Sequence, residues 1–325
     1  MTRDHGGNID WAQAHWDGDD WIDLSTGINR VPYPLPALAP EDWTGLPTRS
    51  ATEALIEAAR TAYGTTAPMV ALSGAQGAIQ LLPRLLPHRT GREARVLSPT
   101  YNEHAAALRV AGWEVREVLS PEALEGADLA VMVNPNNPDG RRWRPGSVLS
   151  MATRVGRMIV DESFADPTPT LSLAPHLTGA EGEPVVLRSF GKFYGLAGLR
   201  LGFAIGPAPV IAALAEAAGP WPVAGPALRV ATRALQDADW ARRTTARLRQ
   251  DAARADDLAG RAGWSLVGGT DLFRLYETPD ATAARDRLAR HRIWSRIFPW
   301  SPRWLRLGLP GSAAEWTRLE TALAA

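Results

Sequence analysis

From about residue 50 onward, the chain alternates between two patterns of apolar positions, one typical of helices and one typical of buried strands. Short runs in which nearly every residue is apolar are expected to form strands that are covered on both faces. These runs lie at 69–72, 94–97, 129–133, 158–160, 185–187 and 201–205, with a further strand at 114–119. Segments with helical spacing lie between several of them, at 51–63, 78–86 and 103–111. The pattern predicts an α/β fold with a mainly parallel sheet.

The two ends of the chain depart from this alternation and predict a second, smaller domain. Residues 1–36 are polar and then proline-rich, with no strong helical or strand period. A Pro- and Gly-containing break at 218–222 precedes an Ala- and Arg-rich segment, 226–261, that predicts one long helix. Shorter predicted elements follow: strands at 264–267, 272–276, 293–297 and 305–307, a helix at 281–290 and a final helix. We expect a large domain over 37–221 and a smaller α+β domain formed by 1–36 and 222–325.

Polar or glycine-rich residues follow the ends of most predicted strands. They include the loop that begins at Ser73, then Tyr101, Asn134, Asp161 and Lys192. Ligands of parallel α/β sheets bind beyond the carboxyl ends of the strands, so these residues are expected to share one site. The Ser73 loop also leads into a helix, whose first N–H groups and dipole favour an anion. Many helix starts look similar, and this loop has neither the P-loop sequence nor a dinucleotide fingerprint.

Lys192 is the only lysine among the 35 basic residues of the chain. An ammonium group can lose its proton and attack a carbonyl carbon, whereas a guanidinium stays charged and cannot. A lone lysine is also what an arginine-biased composition would leave by chance. The sequence around it favours a function, because Ser189-Phe-Gly-Lys192 leaves a predicted strand and a glycine-rich segment with Arg200 follows.

The composition excludes several classes of function. The formal net charge is zero over 325 residues, so there is no electrostatic basis for binding nucleic acid or an anionic membrane. The absence of cysteine excludes disulfides and thiolate metal sites and fits a reducing compartment. The N-terminus has no apolar core of the signal-peptide type, and no stretch approaches 18 apolar residues. We expect a cytoplasmic protein without a metal site.

Four motifs, taken in order, resemble those of fold-type I pyridoxal-phosphate enzymes, the aspartate aminotransferase superfamily. They are Asn134-Pro-x-Asn-Pro, Asp161-Glu162, Ser189-x-x-Lys192 and Gly-x-Arg200-x-Gly. Their spacing is also similar, with 27 residues from Asn134 to Asp161 and 31 from Asp161 to Lys192. The resemblance implies a three-layer αβα large domain with a mainly parallel seven-stranded sheet, a smaller α+β domain and pyridoxal 5'-phosphate as cofactor.

In that resemblance each residue type suits a role towards the cofactor. The Lys192 amine would hold the cofactor aldehyde and carry protons at the substrate Cα. Asp161 would keep the pyridine nitrogen protonated, since an opposite charge favours the charged form. Asn134 would hydrogen-bond the phenolic oxygen, and Tyr101 would stack on the ring. The cofactor phosphate would bind the amides of Ala75 and Gln76, the Ser189 hydroxyl and the Arg200 guanidinium. Taken singly, these residues also fit ordinary turn, core or surface positions.

The ends of the chain resemble the L-threonine-O-3-phosphate decarboxylases of cobalamin biosynthesis, which are related to histidinol-phosphate aminotransferases. The similar segments are HGGN near the N-terminus, DLSTGIN, GAQGAIQLLPRLLP and WSRIFPWSPRWLRLGLP. The resemblance implies that Arg306 binds the substrate carboxylate as a bidentate fork. It also implies that His5, Asn29 and Arg296 bind the substrate phosphate. Arg296 and Arg306 lie among other arginines and also fit surface positions.

Two departures bear on the choice among relatives. Histidinol-phosphate aminotransferases usually have a tyrosine three residues after the aspartate, where this chain has Phe164, which cannot donate a hydrogen bond. They also supply a tyrosine before a proline to the partner subunit's cofactor, and the nearest match here is Leu46-Pro47. The resemblance implies a homodimer and leaves open whether Leu46 replaces this contact between subunits. An aminotransferase acting on a phosphorylated amine remains the first alternative, and a non-catalytic member of the fold is the second.

Overall fold

Buried apolar strands and amphipathic helices alternate in the computed structural model, which describes residues 5–86 and 91–324. The helices are α1 (Ile9–His15), α2 (Pro40–Thr44), α3 (Arg49–Tyr63), α4 (Ala75–Leu85), α5 (Asn102–Val110), α6 (Pro145–Ala152), α7 (Phe190–Phe193), α8 (Ala208–Ala218), α9 (Gly225–Gln236), α10 (Ala238–Arg261), α11 (Ala281–Arg290) and α12 (Ala313–Ala324). Short 3₁₀ turns occupy Pro121–Leu124, Pro169–Leu171, Ala174–His176 and Ala197–Leu199.

The strands fall into three sheets. They are β1 (Ile22–Asp23), β2 (Met69–Ser73), β3 (Glu93–Leu97), β4 (Glu114–Val118), β5 (Leu129–Val133), β6 (Met158–Asp161), β7 (Val185–Ser189), β8 (Leu201–Ile205), β9 (Ser265–Thr270), β10 (Phe273–Glu277), β11 (Ile293–Trp294), β12 (Arg296–Phe298) and β13 (Ser301–Gly308). The order of the largest sheet is β2-β8-β7-β6-β5-β3-β4. Only β8 runs antiparallel to its neighbours, so the predicted mainly parallel, seven-stranded α/β sheet is confirmed.

The described residues group into two units, each with its own internal packing. The larger unit contains Tyr33–Asn137 and Arg142–Trp240. The smaller unit contains the chain up to Pro32, the short segment Pro138–Arg141, and the chain from Ala241 onward. The sequence placed the second boundary at 221/222, before α9. Helix α9 instead packs along α3 and belongs to the larger unit, because its buried face is complementary to that helix.

The core of the larger unit lies between the sheet and its helices. Strand β5 is buried along its whole length, as its continuous apolar sequence predicts. Helix α4 packs its apolar face on the sheet through Ile79 and Leu82, which are both almost fully buried. Only Gly74 separates β2 from the first residue of this helix, which fixes the helix start at the carboxyl edge of the sheet.

The smaller unit is built on a four-stranded antiparallel sheet of order β12-β13-β10-β9. A separate two-stranded parallel sheet joins β1 to β11. The sequence predicted one strand over 293–297, but the structure divides it at Ser295, because β11 pairs with β1 and β12 pairs with β13. Residues 9–15, expected to lack regular structure, form α1, whose start is capped by the Asn8 side chain.

The long helix predicted over 226–261 is two helices, α9 and α10. They meet at Asp237, whose side-chain oxygen accepts a hydrogen bond from the Trp240 amide at 2.9 Å. Asp237 caps the first turn of α10, and the preceding helix α9 therefore ends there. The spacing of apolar residues alone does not reveal this break. None of the helices in the described part of the chain is long and apolar enough to cross a membrane.

Candidate active site

A cavity of about 150 Å³ lies in the larger unit, at the carboxyl edge of the parallel strands. It contains seven of the eight residues predicted to bind a cofactor: Ala75, Gln76, Tyr101, Asp161, Ser189, Lys192 and Arg200. Gly74, Ser163, Phe164 and Gly191 also line it. Residues far apart in sequence converge here because four parallel strands end at the same edge of the sheet.

The backbone at the start of α4 forms an anion cradle on one side of the cavity. Gly74 has a φ of 76°, a left-handed conformation that favours glycine, and it turns the chain from β2 into the helix. A Cβ at Gly74 would lie 3.0 Å from an Arg200 guanidinium nitrogen, and one at Gly202 would overlap the Ala75 amide nitrogen. The small residues therefore let the guanidinium and the first helical N–H groups approach one ligand, as a phosphate requires.

Lys192 lies on α7, a single turn that follows β7 directly. Its Nζ is 5.7 Å from the centre of the Phe164 ring, on the wall of the same cavity. Gly191 allows this turn to pack closely on the next one, since a Cβ there would lie 2.6 Å from the Ala197 Cα. This packing brings the lone primary amine and the Arg200 guanidinium to one site.

Asp161 ends β6 and is almost completely buried. One of its oxygens lies 2.8 Å from His104 Nε2, and the other accepts hydrogen bonds from the Ser163 amide at 2.9 Å and the Ser163 hydroxyl at 2.5 Å. Burial acts to raise the pKa of Asp161, but the hydrogen bonds from His104 and Ser163 outweigh it and lower the pKa below its ordinary value. The carboxyl group therefore stays anionic at the wall of the cavity.

Neither His104 nor Ser163 was identified from the sequence as a site residue. His104 lies on α5, 57 residues before Asp161, and its contact depends on how that helix packs on the sheet. Ser163 lies two residues after Asp161. An aspartate that accepts a hydrogen bond from the residue two positions later forms a common local turn. This second contact was therefore accessible to sequence reasoning.

Substitution of His104 with phenylalanine is expected to weaken cofactor binding by about tenfold or more, because a hydrogen bond to a charged group contributes about 1.5–3 kcal/mol. The pKa of Asp161 should rise, since the largest influence that lowers it would be gone. Titration of the apoprotein with pyridoxal phosphate measures the affinity. The exposed His176, changed to phenylalanine, is the matched control. Equal affinities in the two variants would contradict this role for His104.

Asn134 does not line the cavity, which corrects its predicted role. Its side-chain amide donates to the Trp143 carbonyl at 2.9 Å, and its side-chain oxygen accepts from the Trp143 amide at 3.1 Å. Both ends of the side chain therefore hold the loop closed. Asn137, the second asparagine of the same motif, lines the cavity instead. Both asparagines belong to the motif that the sequence singled out, and spacing alone did not indicate which of them lines the cavity.

Tyr101 lines the cavity at the start of α5. Its hydroxyl donates to the Gln76 side-chain oxygen at 3.2 Å, and its ring meets that of His104 edge to face at 6.1 Å. Gln76 in turn donates to Glu103 at 3.1 Å. These contacts fix the tyrosine ring at the cavity wall, in a position to cover one face of a flat ligand.

A buried ion cluster supports β6, which ends at Asp161, and β7, which leads to the turn that carries Lys192. Arg188, on β7, lies 3.0 Å from Glu162 and 2.8 Å from Asp166, and its guanidinium is 4.3 Å from the centre of the Tyr63 ring. Burial acts to lower the pKa of Arg188, but the neighbouring carboxylates raise it above its ordinary value. Glu162 directly follows Asp161, and Arg188 directly precedes Ser189. The cluster therefore fixes the ends of β6 and β7 against each other.

The predicted substrate residues lie in the smaller unit. Arg306, on β13, is buried and donates to the Ser25 carbonyl at 2.6 Å. Burial, together with the charge of Arg296, its partner across the β12–β13 ladder, lowers the pKa of Arg306 to about 9. His5 and Arg296 line a cavity of about 570 Å³ in this unit. The Asn29 side-chain oxygen accepts from Arg247 at 2.7 Å, and Asn29 is not among the residues that line this cavity.

The chain is similar in sequence and in fold to proteins that are already known. Residues 19–323 match the family described as aminotransferase class I and II. The threonine-phosphate decarboxylase of a Sinorhizobium species is 43% identical over 328 residues, covering 98% of this chain and 97% of that protein. That of Pseudomonas aeruginosa is 44% identical over 331 residues, with the same coverage. The histidinol-phosphate aminotransferase of Sinorhizobium meliloti, solved in complex with pyridoxal-5'-phosphate, shares the fold, with a TM-score of 0.79 and 22% identity over 93% of this chain and 90% of that one.

Proposed function

Because the chain belongs to the class I and II aminotransferase family, we propose that it is a pyridoxal-phosphate-dependent lyase. It decarboxylates L-threonine O-3-phosphate to (R)-1-amino-2-propanol O-2-phosphate for cobalamin biosynthesis. The observation that carries this proposal is the identity of about 44% to threonine-phosphate decarboxylases along nearly the whole chain. The cavity that unites the lone lysine with a buried anionic carboxylate supports the chemistry.

The residues around the cavity fit pyridoxal phosphate. The cradle at Gly74, which a Cβ would obstruct, offers the Ala75 and Gln76 amides and the Arg200 guanidinium to a phosphate, and Ser189 adds a hydroxyl. Tyr101 would cover the ring, and Asn137, in place of Asn134, would serve the phenolic oxygen. When bound, the cofactor supplies an electron sink for the pair released as CO2 leaves.

The protein's own contribution is charge, orientation and proton transfer. The Asp161 carboxylate, held anionic by His104 and Ser163, would keep a proton on the ring nitrogen of the bound cofactor. Lys192 would hold the cofactor through its aldehyde group, and its Nζ would supply the proton that the substrate Cα takes up. Phe164 presents only carbon to the cavity near that amine, so no hydroxyl competes there for the phenolic oxygen.

Substrate recognition is assigned to the smaller unit. Arg306 would bind the carboxylate as a fork, while His5, Asn29 and Arg296 would bind the phosphate. The buried guanidinium of Arg306 suits this role, because a partly desolvated cation gains more from an anionic ligand than one in water does. Orientation by both anionic groups decides which Cα bond stands perpendicular to the ring and therefore breaks.

The defining experiment is incubation of cofactor-loaded protein with threonine phosphate in the absence of 2-oxoglutarate. We expect amine and CO2 to appear in equal amounts over many turnovers. Turnover only after a keto acid is added would identify an aminotransferase. No turnover under either condition would favour the non-catalytic alternative.

We also propose that the protein is a homodimer, joined through an apolar patch on the larger unit. The patch consists of Trp43, Leu46 and Trp221, which are 68%, 67% and 55% exposed. A Cβ at Gly225 would overlap the Asp42 carbonyl oxygen, so α2 and the start of α9 are in close contact. Pro47 and Trp221 line the same surface pocket. An exposed patch of large apolar side chains is typical of a protein interface.

The double substitution Trp43→Glu and Trp221→Glu is expected to shift the protein from dimer to monomer, because two charges would have to be buried in the interface. Sedimentation velocity at micromolar concentration measures the change. Leu119→Glu, at a position 76% exposed and outside the patch, is the control and should leave the mass unchanged. A dimer that survives the double substitution would show that the patch is not the interface.

A further inference from the structure

The smaller unit contains a buried hydroxyl that the proposed function does not yet use. Ser295 is only 2% exposed and lines the 570 Å³ cavity together with His5 and Arg296. Its Oγ has no hydrogen-bond partner among the described residues. A buried hydroxyl that loses water without gaining a partner costs about 1–3 kcal/mol, so such groups in a folded protein call for an explanation.

The position of Ser295 is fixed by the two sheets that meet there. Trp294 before it pairs with β1, and Arg296 after it pairs with Arg306 on β13. The serine backbone therefore cannot move freely away from the cavity. Its side chain retains three staggered χ1 positions, and rotation about this bond can turn the hydroxyl towards a ligand oxygen at the cavity wall.

The surroundings of this hydroxyl favour an anion. His5, Arg285 and Arg296 lie among the cavity-lining residues, and none of the described lining residues is acidic. Arg296 also lies close enough to Arg306 for its charge to lower the pKa of that group. Asp23 offsets part of this repulsion, and an anionic ligand near the two guanidinium groups would offset more of it.

The N-terminal arm is held at the cavity by contacts that do not depend on a ligand. The Gly7 amide donates to the Ser25 hydroxyl at 2.7 Å, and Gly6 packs on the Ser25 carbonyl so closely that a Cβ would overlap it. His5 directly precedes this anchored pair. The arm thus presents its imidazole to the same cavity as Ser295.

We propose that Ser295 donates a hydrogen bond to the substrate phosphate, beside Arg296 and His5, and so helps the site to select a phosphorylated substrate. This inference rests on the proposed function and adds a specificity-determining residue to it. A phosphate monoester has three strong acceptor oxygens, whereas a carboxylate has two. A planar guanidinium fork occupies two oxygens, and a hydroxyl from another direction can occupy the third.

The test measures inorganic phosphate binding by calorimetry on protein saturated with pyridoxal phosphate, so that the cradle at Ala75 is already filled. The dissociation constant is expected to rise about tenfold in Ser295→Ala, the loss of one hydrogen bond to a charged group. Ser295→Thr, which keeps the hydroxyl, should stay within about threefold of the parent. Ser312→Ala removes an exposed hydroxyl of the same unit and should not change the affinity.

Two further readouts separate this role from a structural one. The melting temperature of Ser295→Ala should equal or exceed that of the parent, because an unsatisfied hydroxyl is removed. With threonine phosphate, KM should rise about tenfold while kcat stays within about twofold. Unchanged phosphate affinity in Ser295→Ala would overturn the inference, and so would an equal loss in Ser295→Thr. If threonine phosphate is not turned over at all, the proposed function fails, while the phosphate titration still decides the role of Ser295.

Discussion

Replacing Lys192 with alanine will lower the rate of amine formation from threonine phosphate by at least about a thousandfold. The side chain is asked both to bind the cofactor aldehyde and to return a proton to Cα, and proton transfer alone contributes about 10²–10⁴-fold. No second lysine exists in the chain to substitute for it. The absorbance of the bound cofactor at about 400–430 nm should be lost with the activity.

Lys192→Arg is the matched variant for this experiment. It keeps a positive charge at the cavity wall but cannot attack a carbonyl carbon at neutral pH. We expect it to be as inactive as the alanine variant, which would assign the effect to the nucleophile rather than to charge. Retention of more than about a tenth of the parent rate by either variant would contradict the role given to Lys192.

The largest effect on stability is expected from Arg188→Met. This change leaves Glu162 and Asp166 buried without their cation, and breaking a buried ion pair from one side costs about 3–5 kcal/mol. Equilibrium unfolding in urea measures the free energy of unfolding. Arg109→Met removes a pair that is about half exposed on both sides, with Glu117, and should cost less than about 1 kcal/mol.

The loss in Arg188→Met should also depend on pH. Burial already raises the pKa of Glu162, and without the guanidinium only the hydrogen bonds from Leu173 and Ser172 would oppose it. A carboxyl whose pKa is raised in the folded state binds more protons there than in the unfolded state, so stability recovers as the pH falls. We expect the difference between variant and parent to be smaller at acidic pH than at neutral pH. A difference that is below about 1 kcal/mol at neutral pH would show that the cluster is not needed for stability.

The sequence predicted those parts of the structure that depend on local pattern. Continuous apolar runs such as β5 identified the parallel sheet, and polar residues after each strand identified the cavity edge. Asp161, Ser189 and Lys192 meet because parallel strands end together, which is a property of the fold and not of any particular side chain. The four motifs, taken in order, resembled those of a known family, and the family match confirmed this resemblance.

The parts that the sequence did not predict depend on contacts between distant elements. His104 reaches Asp161 from a helix 57 residues earlier, and Arg188 reaches Glu162 from the neighbouring strand. Asn134 and Asn137 have identical chemistry, and only the structure shows that Asn134 binds the Trp143 backbone while Asn137 lines the cavity. Residues 293–297 suit a single strand equally well. Their sequence therefore does not reveal that the structure divides them at Ser295 between two sheets.

The division of the chain has a practical consequence for experiments on isolated fragments. The backbone passes between the units after Pro32, Asn137, Arg141 and Trp240, so neither unit is a continuous stretch of polypeptide. The larger one is interrupted by four residues directly after Asn137, and the smaller one needs both outer segments to complete its β1–β11 pairing. A simple truncation at any one of these points would therefore leave a unit without some of the segments that it needs. Dissection of this enzyme calls for circular permutation or point substitution instead.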